Sequence, residues 1–265
     1  MPGAGRDGVL RRRGEVLRRL LHPGGEPVVV SAWSTRSAVR LRAEAAHRDA
    51  AASGLARMRF ALGLDHDLAP FHARFRRDPL IGAVIRCRPW LRPRRRPEPF
   101  EALAWAICEQ LIESGRASAI QRRLVRRYGR TSPCGTLRDV PAAALLAGRS
   151  PAELEACGLA AKRAFAMIRA AREVAAGRAD LGSHEPAWRR LRAIPNIGSW
   201  TLEKLAFEGQ GRDDQLPAGD LAYVRLVGRA AGLGRRATED EVRAFFSSYE
   251  PYAGLAGLYA LWSEG

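Results

Sequence analysis

The sequence lacks closely spaced cysteines and long apolar runs. Its four cysteines, Cys87, Cys108, Cys134 and Cys157, form no C-x-x-C pair, which excludes a zinc knuckle and a clustered iron–sulfur loop. No apolar run approaches the roughly 20 residues that span a bilayer. The N-terminal stretch has no apolar core of the kind that a signal peptide needs. We therefore expect reduced thiols, no membrane partner and a cytoplasmic location.

Lysine is also nearly missing, because only Lys162 and Lys204 are present. Arginine therefore supplies almost all of the 44 basic residues, which face 28 acidic ones and give a formal net charge of +16. Such an excess favours a polyanionic partner such as nucleic acid. A solvated arginine-rich surface that reflects genomic base composition is the alternative. The apolar fraction of 46% excludes global disorder and is enough for one large domain or two modest ones.

The residue pattern divides the chain into three parts. Residues 1–54 predict a small α+β region, with a short basic helix followed by strands in "EPVVVSAW" and "SAVRLRAEA". Residues 55–97 predict a helical segment and a stiff, extended connector rich in proline and arginine. Residues 98–265 predict a helical core, in which Thr238 and Glu241 have the spacing of a capping box. The fold class is mostly α.

Residues 187–207, "AWRRLRAIPNIGSWTLEKLAF", predict two helices joined by a tight turn. Pro195 stops the first helix, and the second begins at about Ser199. Asn196 and Gly198 between them are the residue types that best tolerate positive φ. Such a turn can point backbone N–H groups outward at a helix start and form an anion site for a DNA phosphate. A purely structural helix–turn–helix explains the same spacing equally well.

Together with "PFEALAWAICEQL", "LPAGD" and "LYALWSEG", the motif "IPNIGSW" resembles the helix-hairpin-helix DNA glycosylase superfamily, in its AlkA-like 3-methyladenine DNA glycosylase II branch. The similarity runs from about Met58 to the end of the chain. It implies the helix-hairpin-helix glycosylase fold, a damaged duplex DNA partner and a nucleoid-associated protein. It also places the hairpin on the DNA backbone, through Asn196, Gly198, Thr201 and, as a phosphate contact or surface charge, Lys204. The chain departs from the family at Asn196, where glycine is usual, and in its shorter N-terminal region.

The resemblance assigns catalysis to Asp220, the acid that follows the hairpin in "LPAGD". Breaking an N-glycosidic bond builds positive charge on the sugar, which a carboxylate in a dry pocket stabilises. An alkylated base is already cationic while it is attached to the sugar and departs as a neutral molecule, so a second acid is not needed. A helix N-cap is the alternative role for this aspartate, and the two roles are compatible.

Two further groups of residues match family positions. Trp200 and Trp262 match the base pocket, where electron-rich rings stack on an electron-poor alkylated base, and Tyr223 and Tyr252 are weaker candidates for the same pocket. Gln110 and Leu111 match the wedge that fills the duplex after a nucleotide is flipped out. Ordinary core packing is the alternative for the tryptophans and for Leu111.

The expected activity is that of a monofunctional DNA N-glycosylase for N3- or N7-alkylated purines. In the branch of the family that also cuts the strand, a lysine follows the hairpin glycine by two positions, and here that position is Trp200. We expect a monomer with no cofactor and no metal, and the resemblance leaves a monovalent cation at the hairpin carbonyls open. A non-catalytic DNA-binding protein and a glycosylase for deaminated or oxidised bases are the alternatives.

Overall fold

The computed structural model describes residues 3–182 and 184–263, which fold into a small antiparallel sheet followed by helices. The strands are β1 Leu10–Arg13, β2 Val16–Leu21, β3 Val28–Ser34 and β4 Val39–Glu44. The helices are α1 Arg48–Leu62, α2 Ala69–Phe75, α3 Gly82–Cys87, α4 Pro99–Glu109, α5 Ser114–Tyr128, α6 Ala143–Ala147, α7 Pro151–Glu155, α8 Ala161–Ala175, α9 His184–Arg192, α10 Ser199–Lys204, α11 Leu221–Ala230, α12 Glu239–Phe246 and α13 Ala253–Ser263. A π-helical segment, Leu205–Gln210, continues α10. The predicted class, mostly α with a small N-terminal α+β region, is confirmed.

The sheet has the strand order β1-β2-β3-β4, and every neighbouring pair is antiparallel. The strands predicted in "EPVVVSAW" and "SAVRLRAEA" are confirmed as β3 and β4. The basic helix predicted before them is wrong, because that segment forms the β1–β2 hairpin. Its two-residue turn begins with Gly14 at φ 57°, a left-handed conformation that glycine adopts without strain.

Strand β2 explains why the sequence pattern indicated a helix. Its apolar residues at positions 16, 17, 20 and 21 have the spacing of a helical face. The spacing arises because the inner end of β2 is covered on both sides. Leu21 faces α1 in one apolar cluster, whereas Leu20 packs with Val29 and Leu137 in another. A strand buried on both faces loses the alternation that marks a strand in a sequence.

Helix α1 covers one face of the sheet, where Ala50 and Met58 pack against Val28 and Val30. The remaining helices form two larger cores. One core gathers α4, α5, α8 and α10 around residues such as Trp105. The other joins α2 and α3 to α11, α12 and α13. The predicted boundaries at residues 54 and 97 remain predictions, and the packing groups α1 with the sheet and α2 and α3 with the C-terminal helices.

The starts of α7 and α12 follow capping signals in the sequence. Thr238 and Glu241 form the predicted capping box at the start of α12, and Ser150 and Glu153 form another at α7. Within residues 3–182 and 184–263, no helix combines the length and apolarity needed to span a bilayer. The last two residues of the motif "LYALWSEG", Glu264 and Gly265, lie outside the described residues, as do Met1 and Pro2.

Candidate active site

The predicted hairpin lies between α9 and α10. Asn196 has φ 68°, so the left-handed conformation expected of the turn is confirmed there. Gly198 has φ −102° and ψ −175°, which is extended backbone that other residues also adopt. A single left-handed residue therefore reverses the chain, and Gly198 is the N-cap position of α10.

The outer side of the turn is open. No side chain caps the start of α10, and a Cβ atom added at Gly198 would meet no described atom within 4 Å. The first N–H groups of a helix lack intrahelical partners and attract anions when they face outward. Phosphate binding by Asn196 and Gly198 stays a prediction, and the geometry is compatible with it.

Replacing Asn196 tests the turn itself. We expect Asn196→Ala to lower the free energy of unfolding by about 1 kcal/mol, because alanine tolerates the left-handed region less well than asparagine. Asn196→Gly is the control and should leave stability nearly unchanged. Urea denaturation of the three proteins measures the difference. An alanine variant as stable as the glycine variant would contradict the assigned conformation.

Asp220 is the N-cap of α11 and lies beside the hairpin helix. Its Oδ1 accepts a hydrogen bond from the backbone N–H of Ala222 at 2.9 Å. Its Oδ2 accepts one from the indole Nε1 of Trp200 at 3.3 Å. The capping role is thus confirmed, and one carboxylate oxygen also faces a candidate base-pocket side chain. The two hydrogen bonds fix the orientation of a half-buried carboxylate.

Trp200 reaches this carboxylate from α10, and Tyr223 lies three residues after Asp220 in α11. Tyr223 is buried. Burial raises the pKa of its phenol, and the nearby Asp220 carboxylate raises it further. Trp200 is half-buried and projects from the first turn of α10. The structure therefore brings three predicted site residues, Asp220, Trp200 and Tyr223, to one place.

A buried acid that the sequence did not single out holds the loop before Asp220. Glu203 accepts hydrogen bonds from the Ala218 N–H at 3.3 Å and from Arg243 at 2.6 Å. Burial raises the pKa of Glu203, and Arg243 acts in the opposite direction. Ser199 donates to Glu239 on α12 at 2.8 Å. These contacts fix the hairpin helix, the loop and α12 relative to one another.

Lys204 does not have the surface position predicted for it. Its ammonium forms ion pairs with Glu109 at 3.1 Å and Glu208 at 2.5 Å, and its side chain is 16% exposed. Burial alone would lower the pKa of Lys204, but the two carboxylates raise it above its usual value. An ammonium held between two acids is not available to a phosphate, so we omit Lys204 from the proposed DNA contacts.

The candidate wedge is joined to the hairpin by hydrogen bonds. Gln110 donates through Nε2 to the backbone oxygen of Asn196 at 2.7 Å and to Thr201 Oγ1 at 2.9 Å. Arg163 on α8 donates to the Gln110 backbone oxygen at 3.2 Å. Thr201 is 2% exposed, so its side chain faces Gln110 and is not available to DNA. The predicted contact of this side chain with the DNA backbone is therefore wrong.

Leu111 is not a core residue. Its side chain is completely exposed, and its φ of 53° lies in the left-handed region that a branched side chain rarely occupies. A wedge must display an apolar side chain to solvent, and the exposure of Leu111 meets that condition. The core alternative for Leu111 is therefore wrong. The wedge role itself stays a prediction.

The other two candidate pocket residues lie elsewhere. Tyr252 packs its ring against Phe71, with ring centroids 5.6 Å apart, in the C-terminal core. The Trp262 ring lies under the Arg88 guanidinium at 4.4 Å from its centroid. Among the described residues, neither side chain makes a hydrogen bond or ring contact with Asp220 or Trp200. Their pocket role stays a prediction.

The described residues contain no group of three or more His, Cys, Asp or Glu side chains that could hold a metal ion.

The family model of the HhH-GPD superfamily base excision DNA repair proteins matches residues 104–251. This match covers more than half of the chain and includes both the hairpin and Asp220. The chain belongs to this superfamily. The prediction of the helix-hairpin-helix glycosylase superfamily and its AlkA-like branch is confirmed by this match and by the relatives described next.

This HhH-GPD protein resembles proteins of known name in sequence and in fold. DNA-3-methyladenine glycosylase 2 of Escherichia coli (strain K12) is 29% identical over 190 residues, which are 70% of this chain and 64% of that protein. The 3-methyladenine DNA-glycosylase structure from Archaeoglobus fulgidus has a TM-score of 0.78 and 21% identity, and covers 94% of this chain and 87% of its own. The Schizosaccharomyces pombe 3-methyladenine DNA glycosylase in complex with abasic DNA has a TM-score of 0.59 and 25% identity, and covers 70% of this chain and 91% of its own.

The match to the Escherichia coli protein spans less than two thirds of that protein's length. The Archaeoglobus fulgidus likeness supports the fold alone, because its identity is below 25%. Family membership and fold are thus established for this HhH-GPD protein, whereas its activity and substrates are matters of proposal.

Proposed function

We propose that the chain is a monofunctional DNA N-glycosylase that removes alkylated purines, of the 3-methyladenine and 7-methylguanine type, from duplex DNA. Asp220 is the observation that carries this proposal. Its carboxylate is held by the Ala222 N–H and the Trp200 indole, directly after the hairpin. The names of the relatives support the same substrate class.

The reaction needs one bond broken and one formed. As the N-glycosidic bond breaks, its electron pair moves onto the cationic purine, which leaves neutral, and positive charge develops on the deoxyribose. Water adds to C1′ and loses a proton to solvent, which leaves an abasic site. Asp220 stabilises the developing charge or aligns the water. Because two hydrogen bonds already orient its carboxylate, little reorganisation is needed during the reaction.

Trp200 supplies a reason to prefer alkylated purines. An indole face attracts a cation through its quadrupole, and an N3- or N7-alkylated purine is cationic whereas a normal purine is neutral. The Lys204 ammonium, 5.7 Å from the Trp200 ring centroid, shows that this ring accepts a cationic neighbour. We propose that Trp200 and Tyr223 line one side of the base site.

The ion pairs of Lys204 support a glycosylase without lyase activity. A lysine that forms a Schiff base must react as a neutral amine, and Glu208 and Glu109 keep Lys204 protonated. We expect no strand cleavage at the abasic product until alkali is added, and no covalent complex when borohydride is present. Denaturing gels of a lesion-containing duplex measure both. Strand cleavage without alkali, or a trapped complex, would contradict this assignment.

We propose that Leu111 fills the gap left by the extruded nucleotide. Leu111→Gly should leave stability unchanged or slightly higher, because glycine relieves the positive φ. Excision from duplex DNA should fall by roughly tenfold, equivalent to about 1.4 kcal/mol of lost stacking compensation. Single-stranded DNA carrying the same lesion is the control, since it leaves no stacked gap to fill. An equal loss on both substrates would argue against a wedge.

A non-catalytic DNA-binding protein is the main rival, and the capping role of Asp220 gives that residue a structural reason to be present. A glycosylase for deaminated or oxidised bases is the other rival. Duplexes that each carry one 7-methylguanine, hypoxanthine or 8-oxoguanine distinguish the three, with abasic sites detected by alkali. We expect abasic sites in the first duplex. Their absence from all three would favour the binding protein.

A further inference from the structure

One face of the N-terminal sheet carries a row of arginines that the proposed active site does not use. The register places Arg11 opposite Arg18, Arg18 opposite Ser31 and Ser31 opposite Arg42. Directly opposed residues share a face of a sheet, so these four side chains form one row across four strands. The residues that face α1 alternate with them along each strand, so the row lies on the side opposite α1.

A second set of residues extends this face. A second row lies two residues further along the strands, on the same face. In this row Trp33 lies opposite Arg40 in the β3–β4 pair, and Arg13 lies at the end of β1. We refer to Arg11, Arg13, Arg18, Arg40 and Arg42, around Trp33, as the basic sheet face. Arg18 is half-buried, and the other four arginines are exposed.

The charges of the basic sheet face are not balanced by nearby acids. Arg42 lies 3.7 Å from Glu44. The other four arginines have no ion pair or side-chain hydrogen bond in the part of the chain that the structure describes, and Glu15 in the adjacent turn pairs with Arg12 on the opposite face. Like charges directly opposite each other in a sheet, as in Arg11 and Arg18, are destabilising. Neither Arg11 nor Arg18 has an ion pair among the described residues that would offset this repulsion.

We propose that the basic sheet face is a second DNA-contact surface, which binds the phosphate backbone of duplex DNA without reading its sequence. Guanidinium groups match phosphate geometry and form strong charge-assisted hydrogen bonds with it. Three strand spacings make the first row about 14 Å wide. On one DNA strand, phosphates recur about every 3.4 Å along the helix axis. The row of side chains can therefore lie along roughly four phosphates.

The composition of the face favours DNA over an anionic membrane. Membrane-surface binding by a basic face depends on apolar side chains that enter the lipid. On this face, the apolar residues Trp33 and Val16 are half-buried, and each lies opposite an arginine, Arg40 and Arg13 respectively. The choice of DNA over another polyanion rests on the proposed function, whereas the presence of an anion-binding surface does not.

Two matched triple variants test the proposal. The sheet variant is Arg11→Gln, Arg18→Gln and Arg40→Gln. The control variant is Arg76→Gln, Arg77→Gln and Arg126→Gln, which removes the same charge from exposed positions in the turn after α2 and in α5. Affinity for an undamaged 30-base-pair duplex is measured for each across a series of salt concentrations. A third variant, with lysine at positions 11, 18 and 40, keeps the charge.

For the sheet variant, we expect the slope of log affinity against log salt to fall in magnitude by about 2 to 3, because each lost phosphate contact removes about 0.9. Affinity should fall by about tenfold or more at 0.1 M salt, whereas the control should change much less. The lysine variant, which keeps the charges, should keep the salt slope of the wild type. Equal slopes for the sheet and control variants would overturn the proposal. So would a sheet variant that loses binding to phosphatidylserine vesicles but keeps its binding to DNA.

Base release from lesion-containing DNA separates this outcome from failure of the proposed function. If the wild type releases no base but the sheet variant has a reduced salt slope, the second DNA-contact surface is supported and the glycosylase activity is contradicted. If base is released and the slopes are equal, the reverse holds. Thermal unfolding of each variant identifies any loss of affinity that comes from misfolding. In that case the single variants Arg11→Gln and Arg40→Gln, at exposed positions, replace the sheet variant, each with an expected fall in slope of about 0.9.

Discussion

Replacing Asp220 by asparagine is expected to lower the rate of base excision by at least about 100-fold, the scale of effect seen when one preorganised electrostatic group is removed. Asparagine is as good an N-cap as aspartate, so α11 and the bond from the Ala222 N–H should persist. DNA affinity should stay the same or increase, since one negative charge near the phosphates is lost. Single-turnover excision and fluorescence anisotropy measure the two quantities.

Asp67 provides the matched control. Its Oδ1 accepts a hydrogen bond from the Ala69 N–H at 2.9 Å, with the same spacing and distance as Asp220 and Ala222. Asp67→Asn makes the same chemical change at a helix start away from the hairpin, and it should leave excision unchanged. If Asp220→Asn excised bases as fast as Asp67→Asn, Asp220 would have a capping role only and the catalytic role would be contradicted.

Removing the carboxylate of Glu101 is expected to cost about 3 to 5 kcal/mol of folding free energy. Glu101 is completely buried and forms ion pairs with Arg19 at 2.5 Å and Arg96 at 3.3 Å. Glu101→Ala leaves two buried guanidinium groups short of a partner, which is the costly way to break a buried pair. The midpoint and slope of urea denaturation measure the loss.

The effect depends on burial, so an exposed pair serves as the control. Glu15 lies 3.0 Å from Arg12 in the β1–β2 turn, and its side chain is 86% exposed. Glu15→Ala should change stability by less than about 1 kcal/mol. If Glu101→Ala cost no more than Glu15→Ala, the buried pairs would not be what joins the sheet to α4.

Asp7 belongs to the same buried group. Burial alone would raise the pKa of Asp7, but Arg96 and Arg19 hold it below its usual value. The Trp105 indole donates to the Asp7 carboxylate at 3.1 Å. One set of buried charges thus joins α4 to the segment before β1, to the sheet and to the connector.

Local signals in the sequence were enough to predict the hairpin and its surroundings. Pro195 and Asn196 indicated the chain reversal, and Thr238 with Glu241 indicated the start of α12. These features depend on backbone conformation and on partners a few residues away, which a sequence displays directly. The position of Asp220 at the start of a helix was predictable for the same reason.

Features that depend on distant partners were not predictable. Lys204 is held by Glu109, which lies far away in the sequence, so the prediction of Lys204 as a surface charge was wrong. The hydrogen bond from Gln110 to the Asn196 backbone joins segments 86 positions apart. The β1–β2 hairpin was mistaken for a helix because burial on both faces of β2 gave its apolar residues helical spacing.

We propose that this chain releases alkylated bases from DNA, and mass spectrometry of the free bases measures that release. Methylated genomic DNA is incubated with the wild-type protein and with Asp220→Asn, and the soluble fraction is analysed. We predict free 3-methyladenine and 7-methylguanine with the wild type and only background levels with the variant. DNA binding by the wild type without release of either base would contradict the account.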